Sequence, residues 1–279
     1  MRIGIGLPTT TPGSSGPLLA EWAQRAEAGP FSSLAVLDRL AYDSFDPFGA
    51  LAMAAGLTSR VRLATMIAVA PLRSTGMLVK EAATVHGLSG GRLTLGVAVG
   101  ARQEDYEHAE VPQKGRGRRL SDQLAQLRGE WCESRIVPEC ARTSGPELLV
   151  GGDSGPVFER MARYADGYAH GGGPPRAFAS AASRATAAWT EFGRPGRPRL
   201  WGQGYFALGD EERGTAYLRD YYAFTGPFAE KIAAGNLTSP RALRDFIRGY
   251  EEEGCDELVL LPTVSDIAQL ERLAEVVDA

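Results

Sequence analysis

Short apolar runs alternate along the chain with longer segments whose apolar positions recur three and four residues apart, which is the pattern of strands followed by helices. Residues 3–7 read as a first strand. Residues 17–28 read as a helix in which Leu18, Leu19, Trp22 and Ala26 share one side, before Gly29-Pro30 ends it. The same unit recurs with a strand at 34–38 and a helix at 47–57, opened by Asp46 as N-cap and Pro47 at the first helical position. A third strand at 61–70 leads to a helix at 77–88. A fourth at 93–99 is almost wholly apolar, as a strand covered on both faces is. Its helix comes late, at 118–131, with Leu120, Leu124, Leu127 and Trp131 in one stripe.

Residues 132–146 have no clean period and read as an irregular excursion. The alternation then resumes with strands at 147–151 and 167–170 and helices at 157–164 and 177–192. A seventh strand at 200–208 precedes a helical region, 211–253, that Gly226-Pro227 and Ser239-Pro240 break into three pieces. A strand at 257–261 and a helix at 267–277 finish the chain. Eight strands, each followed by a helix, predict an α/β fold of the closed (β/α)₈ TIM-barrel type rather than an open doubly wound sheet. With no low-complexity linker, residues 1–279 are expected to form a single domain.

Composition narrows the function classes. A hydrophobic share of 44% and a charged share of 23% are those of a soluble globular protein. The net charge of -4 is mixed in sign along the chain, so a nucleic acid or an anionic membrane is not the expected partner and a small molecule is. Cys132, Cys140 and Cys255 have neither disulfide nor zinc spacing, which suits a reducing cytoplasm. The first residues run straight into a strand, and no stretch reaches the roughly 20 apolar residues that span a bilayer, so the expected location is cytoplasmic.

In a barrel of this kind the chemistry lies at the C-terminal ends of the strands. After the second strand stand Asp38, Arg39 and Tyr42, a carboxylate, a guanidinium and a phenol that read either as an Asp38-Arg39 ion pair or loop cap, or as catalytic groups. After the fourth come Val99, Gly100, Ala101 and Arg102, where small residues let backbone approach a flat ring or a phosphate, or simply make a turn. After the fifth, Gly151-Gly152-Asp153-Ser154-Gly155 leads into a helix whose N-terminus can meet an anion. It is not a Walker loop, and Gly4-Ile5-Gly6 lacks the third glycine of a dinucleotide fingerprint. Of the three histidines, His86 reads as structural, while His170, beside Gly171-Gly172-Gly173, is a candidate for lining the pocket. No Ser-His-Asp spacing, nucleophile elbow or metal triad is present.

Several segments together resemble the bacterial luciferase-like family of flavin- and deazaflavin-dependent oxidoreductases and monooxygenases. They include Ser32-Ser33-Leu34-Ala35-Val36-Leu37-Asp38-Arg39, Asp46-Pro47-Phe48, Thr58-Ser59-Arg60-Val61-Arg62-Leu63-Ala64-Thr65 and, most specifically, Leu88-Ser89-Gly90-Gly91-Arg92-Leu93-Thr94-Leu95-Gly96-Val97. Glu104-Asp105-Tyr106, Arg118-Arg119-Leu120, Leu149-Val150-Gly151-Gly152, Ala165-Asp166-Gly167-Tyr168 and Gly254-Cys255-Asp256-Glu257-Leu258-Val259-Leu260 continue the match in family order across nearly the whole chain. The resemblance implies a barrel, commonly a homodimer, with the cofactor ring at the strand C-termini. It implies a bulge at the end of the third strand, often with a non-prolyl cis peptide beneath the ring, matched here by Thr65, Met66, Ile67 and Ala68. Val99 to Arg102 match residues beside the ring or its ribityl-phosphate side, and Gly152, Asp153 and Ser154 match the phosphate loop. This chain departs from the pattern at Arg39, where many deazaflavin users and luciferase carry a histidine, at Ala98, and in the shorter region after Trp131.

The function that follows is oxidation of a small organic substrate by dioxygen and reduced FMN, supplied by a separate reductase. Arg39 or Arg102 would stabilise negative charge and Tyr42 would donate a proton. The alternatives are hydride transfer with the deazaflavin coenzyme F-420, a flavin-binding barrel without turnover, and an open nicotinamide-binding fold, which the failed fingerprint disfavours.

Overall fold

The computed structural model describes residues 1–131, 133–142 and 145–278, and in it every expected strand forms and pairs in parallel with its neighbour. The strands are β1 (Arg2–Gly6), β2 (Ser33–Val36), β3 (Arg62–Val69), β4 (Leu93–Ala98), β5 (Glu147–Gly151), β6 (Gly167–Ala169), β7 (Arg199–Phe206) and β8 (Glu257–Pro262), and β8 pairs with β1 to close the barrel. The helices are α1 (Gly16–Ala28), α2 (Pro47–Leu57), α3 (Thr75–Leu88), α4 (Gln103–His108), α5 (Arg116–Glu130), α6 (Gly155–Tyr164), α7 (Pro175–Glu191), α8 (Glu211–Tyr221), α9 (Phe228–Ala233), α10 (Pro240–Glu252) and α11 (Ile267–Val277). Of the excursion after α5, Cys132, Thr143 and Ser144 lie outside the described residues. No helix among the described residues is long and apolar enough to cross a membrane.

Capping fixes where several helices start. Asp46 accepts the Gly49 N–H at 2.7 Å with Pro47 following, and Ser239 accepts the Ala242 N–H at 3.2 Å ahead of α10. Such a cap contributes about 1 kcal/mol. The short polar α4 was not expected, because six residues carry no readable period.

Two apolar layers follow from the alternation of side chains along each strand. Leu34, Val36, Leu63, Val97, Leu148 and Val150 point outward under the helices. Ala35, Ala64, Leu149, Ala169, Trp201 and Val259 point inward and fill the barrel. Trp201 is fully buried, and the alanines of β2, β3 and β6 leave the volume its indole takes up. Burying a side chain of this size is worth roughly 1.5–3 kcal/mol.

The two ends of the barrel differ in chemistry. At the N-terminal end charged groups interlock: Arg62 Nη2 donates to Thr94 Oγ1 at 2.7 Å, Arg62 and Arg199 both lie 3.4 Å from Glu147, and Arg2 pairs with the buried Glu257 at 3.0 Å. At the C-terminal end the connection after β7 carries α8 and α9 and roofs the mouth. It leaves at Phe206 and returns at Leu237, and the two ends are bonded: Ala207 N–H donates to Leu237 O at 3.1 Å and Leu237 N–H to Tyr205 O at 2.9 Å.

Candidate functional site

Asp38 and Arg39 follow β2 into the mouth but do not bond to each other; each is taken by a different partner. The Asp38 carboxylate accepts the Val69 N–H at 2.8 Å and the Arg73 guanidinium at 2.7 Å. Arg39, its side chain only 2% exposed, donates from Nε to Asp105 Oδ2 at 3.0 Å and from Nη2 to Glu104 Oε1 at 2.6 Å. Asp105 also accepts the backbone N–H groups of Leu40 at 3.1 Å and Ala41 at 2.7 Å, so α4 ties down the loop after β2. The Tyr42 hydroxyl donates to Asp220 Oδ2 at 2.6 Å at the end of α8.

Beside this loop β3 carries the expected irregularity. Its register against β4 shifts between Thr65 and Ala68, and the Met66-Ile67 peptide bond is cis. Thr65 Oγ1 donates to the Gly96 carbonyl oxygen at 2.7 Å, fixing the bulge to β4. Met66 is buried in the barrel interior, whereas Ile67 is partly exposed and lies over the bare backbone of Gly96 and Gly151. A Cβ on Gly96 would meet the Thr65 carbonyl oxygen far inside van der Waals contact, so glycine is what permits the bulge to sit here.

After β4, the Tyr106 hydroxyl donates to the Val99 carbonyl oxygen, Gly100 takes φ +67°, Ala101 is exposed, and Arg102 turns back over the mouth. Its guanidinium carbon lies 4.5 Å from the ring centroid of Tyr221 and 4.2 Å from that of Phe224, and Nη2 donates to the Tyr221 carbonyl oxygen at 2.8 Å. Arg39 approaches the same Tyr221 ring at 5.5 Å, and the Tyr42 ring meets it edge-on at 5.3 Å. Arg39, Tyr42 and Arg102, chosen from three turns of sequence, thus converge on one phenol.

That phenol belongs to a tyrosine cluster which the sequence reading did not single out. Tyr217 and Tyr221 lie one helical turn apart on α8, Tyr222 follows, and Tyr205 comes up from β7. Tyr205 and Tyr222 share a hydrogen bond at 2.6 Å, and Tyr217 bonds to Thr10 at 2.7 Å. Burial pushes all four phenols above their ordinary pKa, and Tyr42 is raised by burial and by its bond to Asp220, so all five are protonated donors near neutrality. The readable signal was the pair of aromatic positions four residues apart in an otherwise charged helix.

The remaining candidates lie across the mouth at the ends of β5 and β6. Gly151 lies beneath Ile67, and Gly152 takes φ +125°, open to glycine alone without strain. Asp153 is held by an ion pair to Arg184, and Ser154 precedes α6 without bonding to it through its side chain. Tyr168 donates to the Gly152 carbonyl oxygen at 2.7 Å, and His170 packs against Tyr168 and Phe178. The Nε2 of His170 is buried without a partner, and burial lowers its pKa, so the imidazole is neutral near pH 7. A groove of about 630 Å³ between Thr186, Arg197 and Gly254 opens instead at the N-terminal end, remote from these groups.

The sequence model of the family described as luciferase-like monooxygenase matches residues 1–259. An uncharacterized protein of Mycobacterium tuberculosis is 30% identical over 187 residues, 55% of this chain, and a second from the same organism is 28% identical over 139 residues, 45% of this chain and 49% of its own length. The chain spans 65% of the length of the first of these curated relatives. Among solved structures, a monooxygenase of Streptomyces bottropensis superposes with a TM-score of 0.78 at 18% identity, over 99% of this chain and 97% of the other. An F-420-dependent secondary alcohol dehydrogenase gives 0.78 at 16% identity over the same shares. A type II Baeyer-Villiger monooxygenase component of Pseudomonas putida, in complex with FMN, gives 0.74 at 14% identity over 99% and 96%. At these identities the structural likeness is one of fold.

Proposed function

The chain belongs to the luciferase-like monooxygenase family, and from that premise we propose that it oxidises a small organic substrate with reduced FMN and dioxygen at the roofed mouth of the barrel. The observation that carries the reading is the floor of that mouth. Ile67, on the β3 bulge, offers an apolar side chain over Gly96 and Gly151, where a Cβ on either strand would intrude. A flat tricyclic ring fits such a surface. The positive-φ backbone at Gly100 and Gly152, and the unpartnered Nε2 of His170, fit the polar edge and tail of the same molecule.

When bound, reduced FMN supplies the electrons that activate dioxygen, and a separate flavin reductase would restore them. The chain's own residues do the rest. Gly152 N–H, Ser154 Oγ and the first turn of α6 would hold the phosphate. Tyr42, protonated and bonded to Asp220, holds a proton at Oη at the mouth. Arg39 places a compensated charge beneath Tyr221 and fixes the loop that carries Tyr42. With a ring bound below it, the α8 roof would keep water from the reacting face and so strengthen electrostatic interactions there.

The test is to titrate the purified protein separately with FMN, reduced FMN and coenzyme F-420, following flavin fluorescence and calorimetric heat. Tight binding of reduced FMN and substrate-dependent oxygen consumption with a flavin reductase support the proposal. Binding of coenzyme F-420 alone replaces it with hydride transfer. Binding of none by folded protein overturns it.

A further inference from the structure

Two arginines at the mouth have their charge met by carboxylates, and a third does not. Arg39 is held by Asp105 and Glu104, and Arg73 by Asp38, Asp46 and Glu81. Arg102 forms no ion pair among the described residues. Of its five N–H donors only Nη2 is engaged, by the Tyr221 carbonyl oxygen at 2.8 Å, and Nε is buried with no acceptor. Asp220, which takes the Tyr42 hydroxyl, does not bond to it.

Arg102 is partly exposed, but its Nε is buried without an acceptor, and a desolvated donor left unmet is costly; rings relieve only part of that cost. Tyr221 at 4.5 Å, Phe224 at 4.2 Å and Tyr222 at 5.7 Å pack against the cation and supply no acceptor in its plane, where Nη2 alone is engaged. In-plane donors are what bind a carboxylate in bidentate fashion. Tyr221 is buried, but Tyr222 and Phe224 present an apolar, partly exposed wall, with Phe224 43% exposed.

We propose that Arg102 is the specificity-determining anchor of the substrate site and selects an organic carboxylate whose flat apolar body packs on Tyr222 and Phe224. The inference rests on the mouth being the substrate site, as proposed above, and it assigns Arg102 to the substrate rather than to the cofactor. The carboxylate would complete the charge balance that Asp105 provides for Arg39. Its body would lie on the roof side of the mouth, across from the Ile67 floor.

The experiment measures binding of benzoate, phenylacetate and cinnamate, each beside its neutral amide, to the full-length protein by calorimetry, with FMN and coenzyme F-420 titrated in parallel. The expected result is that at least one acid binds about ten-fold or more tighter than its amide. Arg102→Gln removes that preference while cofactor affinity stays within about two-fold, and Arg102→Lys retains part of it. Equal binding of acids and amides overturns the proposal, as does no binding of any acid to folded protein. Loss of cofactor affinity in Arg102→Gln also overturns it, by giving the guanidinium to the cofactor. The acid-amide comparison on the unmodified protein stands if Arg102→Gln fails to fold. Failure of every cofactor to bind, with the acid preference intact, counts against the flavin reading and not against this one.

Discussion

The carboxylate of Asp38, two residues past β2, receives the backbone N–H of Val69, at the end of β3, at 2.8 Å. Val69 is separated from the Met66-Ile67 bulge by one residue, so a side chain from one strand sets where the irregular end of the next strand lies. Arg73, bonded to the same carboxylate at 2.7 Å, balances its charge. Asp38→Ala leaves Arg73 and the Val69 N–H without this partner, and stability is expected to fall by about 3 kcal/mol. Asp38→Asn keeps an acceptor for Val69 and should lose less. Urea unfolding of the two variants checks the order, and equal losses would assign the whole effect to charge.

Arg39 and Asp105 are expected to be coupled. Each single change, Arg39→Gln or Asp105→Asn, removes one member of a buried pair whose side chains are 2% and 4% exposed, at a cost of about 3 kcal/mol. The double variant should lose less than the sum by about 1–3 kcal/mol. A double-mutant cycle by chemical denaturation measures the difference, and additivity within error rejects the coupling.

Two glycines make opposite predictions for the same substitution. Gly96→Ala forces a methyl group against the Thr65 carbonyl oxygen and should cost about 3 kcal/mol and distort the bulge. Gly56 lies in α2, exposed, with nothing near a built Cβ, so Gly56→Ala should stabilise by about 0.5–1 kcal/mol. Thermal unfolding of both variants decides whether local space governs the sign.

His170 has its pKa lowered by burial, so between the unfolded value near 6.5 and the lower folded value the unfolded chain binds the proton and the folded one does not. Stability is therefore lost as pH falls below about 6.5 and its slope flattens below the folded pKa. His86, lowered for the same reason, acts in the same direction. In His170→Phe the loss of stability from pH 7 to pH 5 should be smaller than in the unmodified protein, measured by urea midpoints at each pH. An unchanged slope would mean that His170 charges freely in the folded state.

Local sequence carried the barrel because each unit announces itself locally. Pro47–Leu57, Glu147–Gly151 and Ile267–Val277 have the expected limits, since a cap, a proline or an apolar run marks each edge. Asp38 and His170 fall just past the ends of their strands: the Asp38 carboxylate turns to Val69, and the His170 ring packs beside Phe178. Only the Tyr217-Tyr221 pair of the tyrosine cluster was legible, because Tyr42, Tyr205 and Tyr221 come from distant segments and only closure of the barrel brings them together. The partners of Arg39 were hidden for the same reason: Asp105 lies on a helix too short to predict, and nothing local distinguishes a pair to Asp38 from one to Asp105.

The connection between β7 and α10 leaves and re-enters the barrel where Ala207 and Leu237 bond, so its two ends already meet before anything in between is specified. A segment stapled at its base behaves as an exchangeable cassette, because lengthening it changes loop-closure entropy only slowly and leaves the strand register untouched. Grafting this one stretch would exchange Tyr217, Tyr221, Tyr222 and Phe224 together while the floor beneath stays as it is.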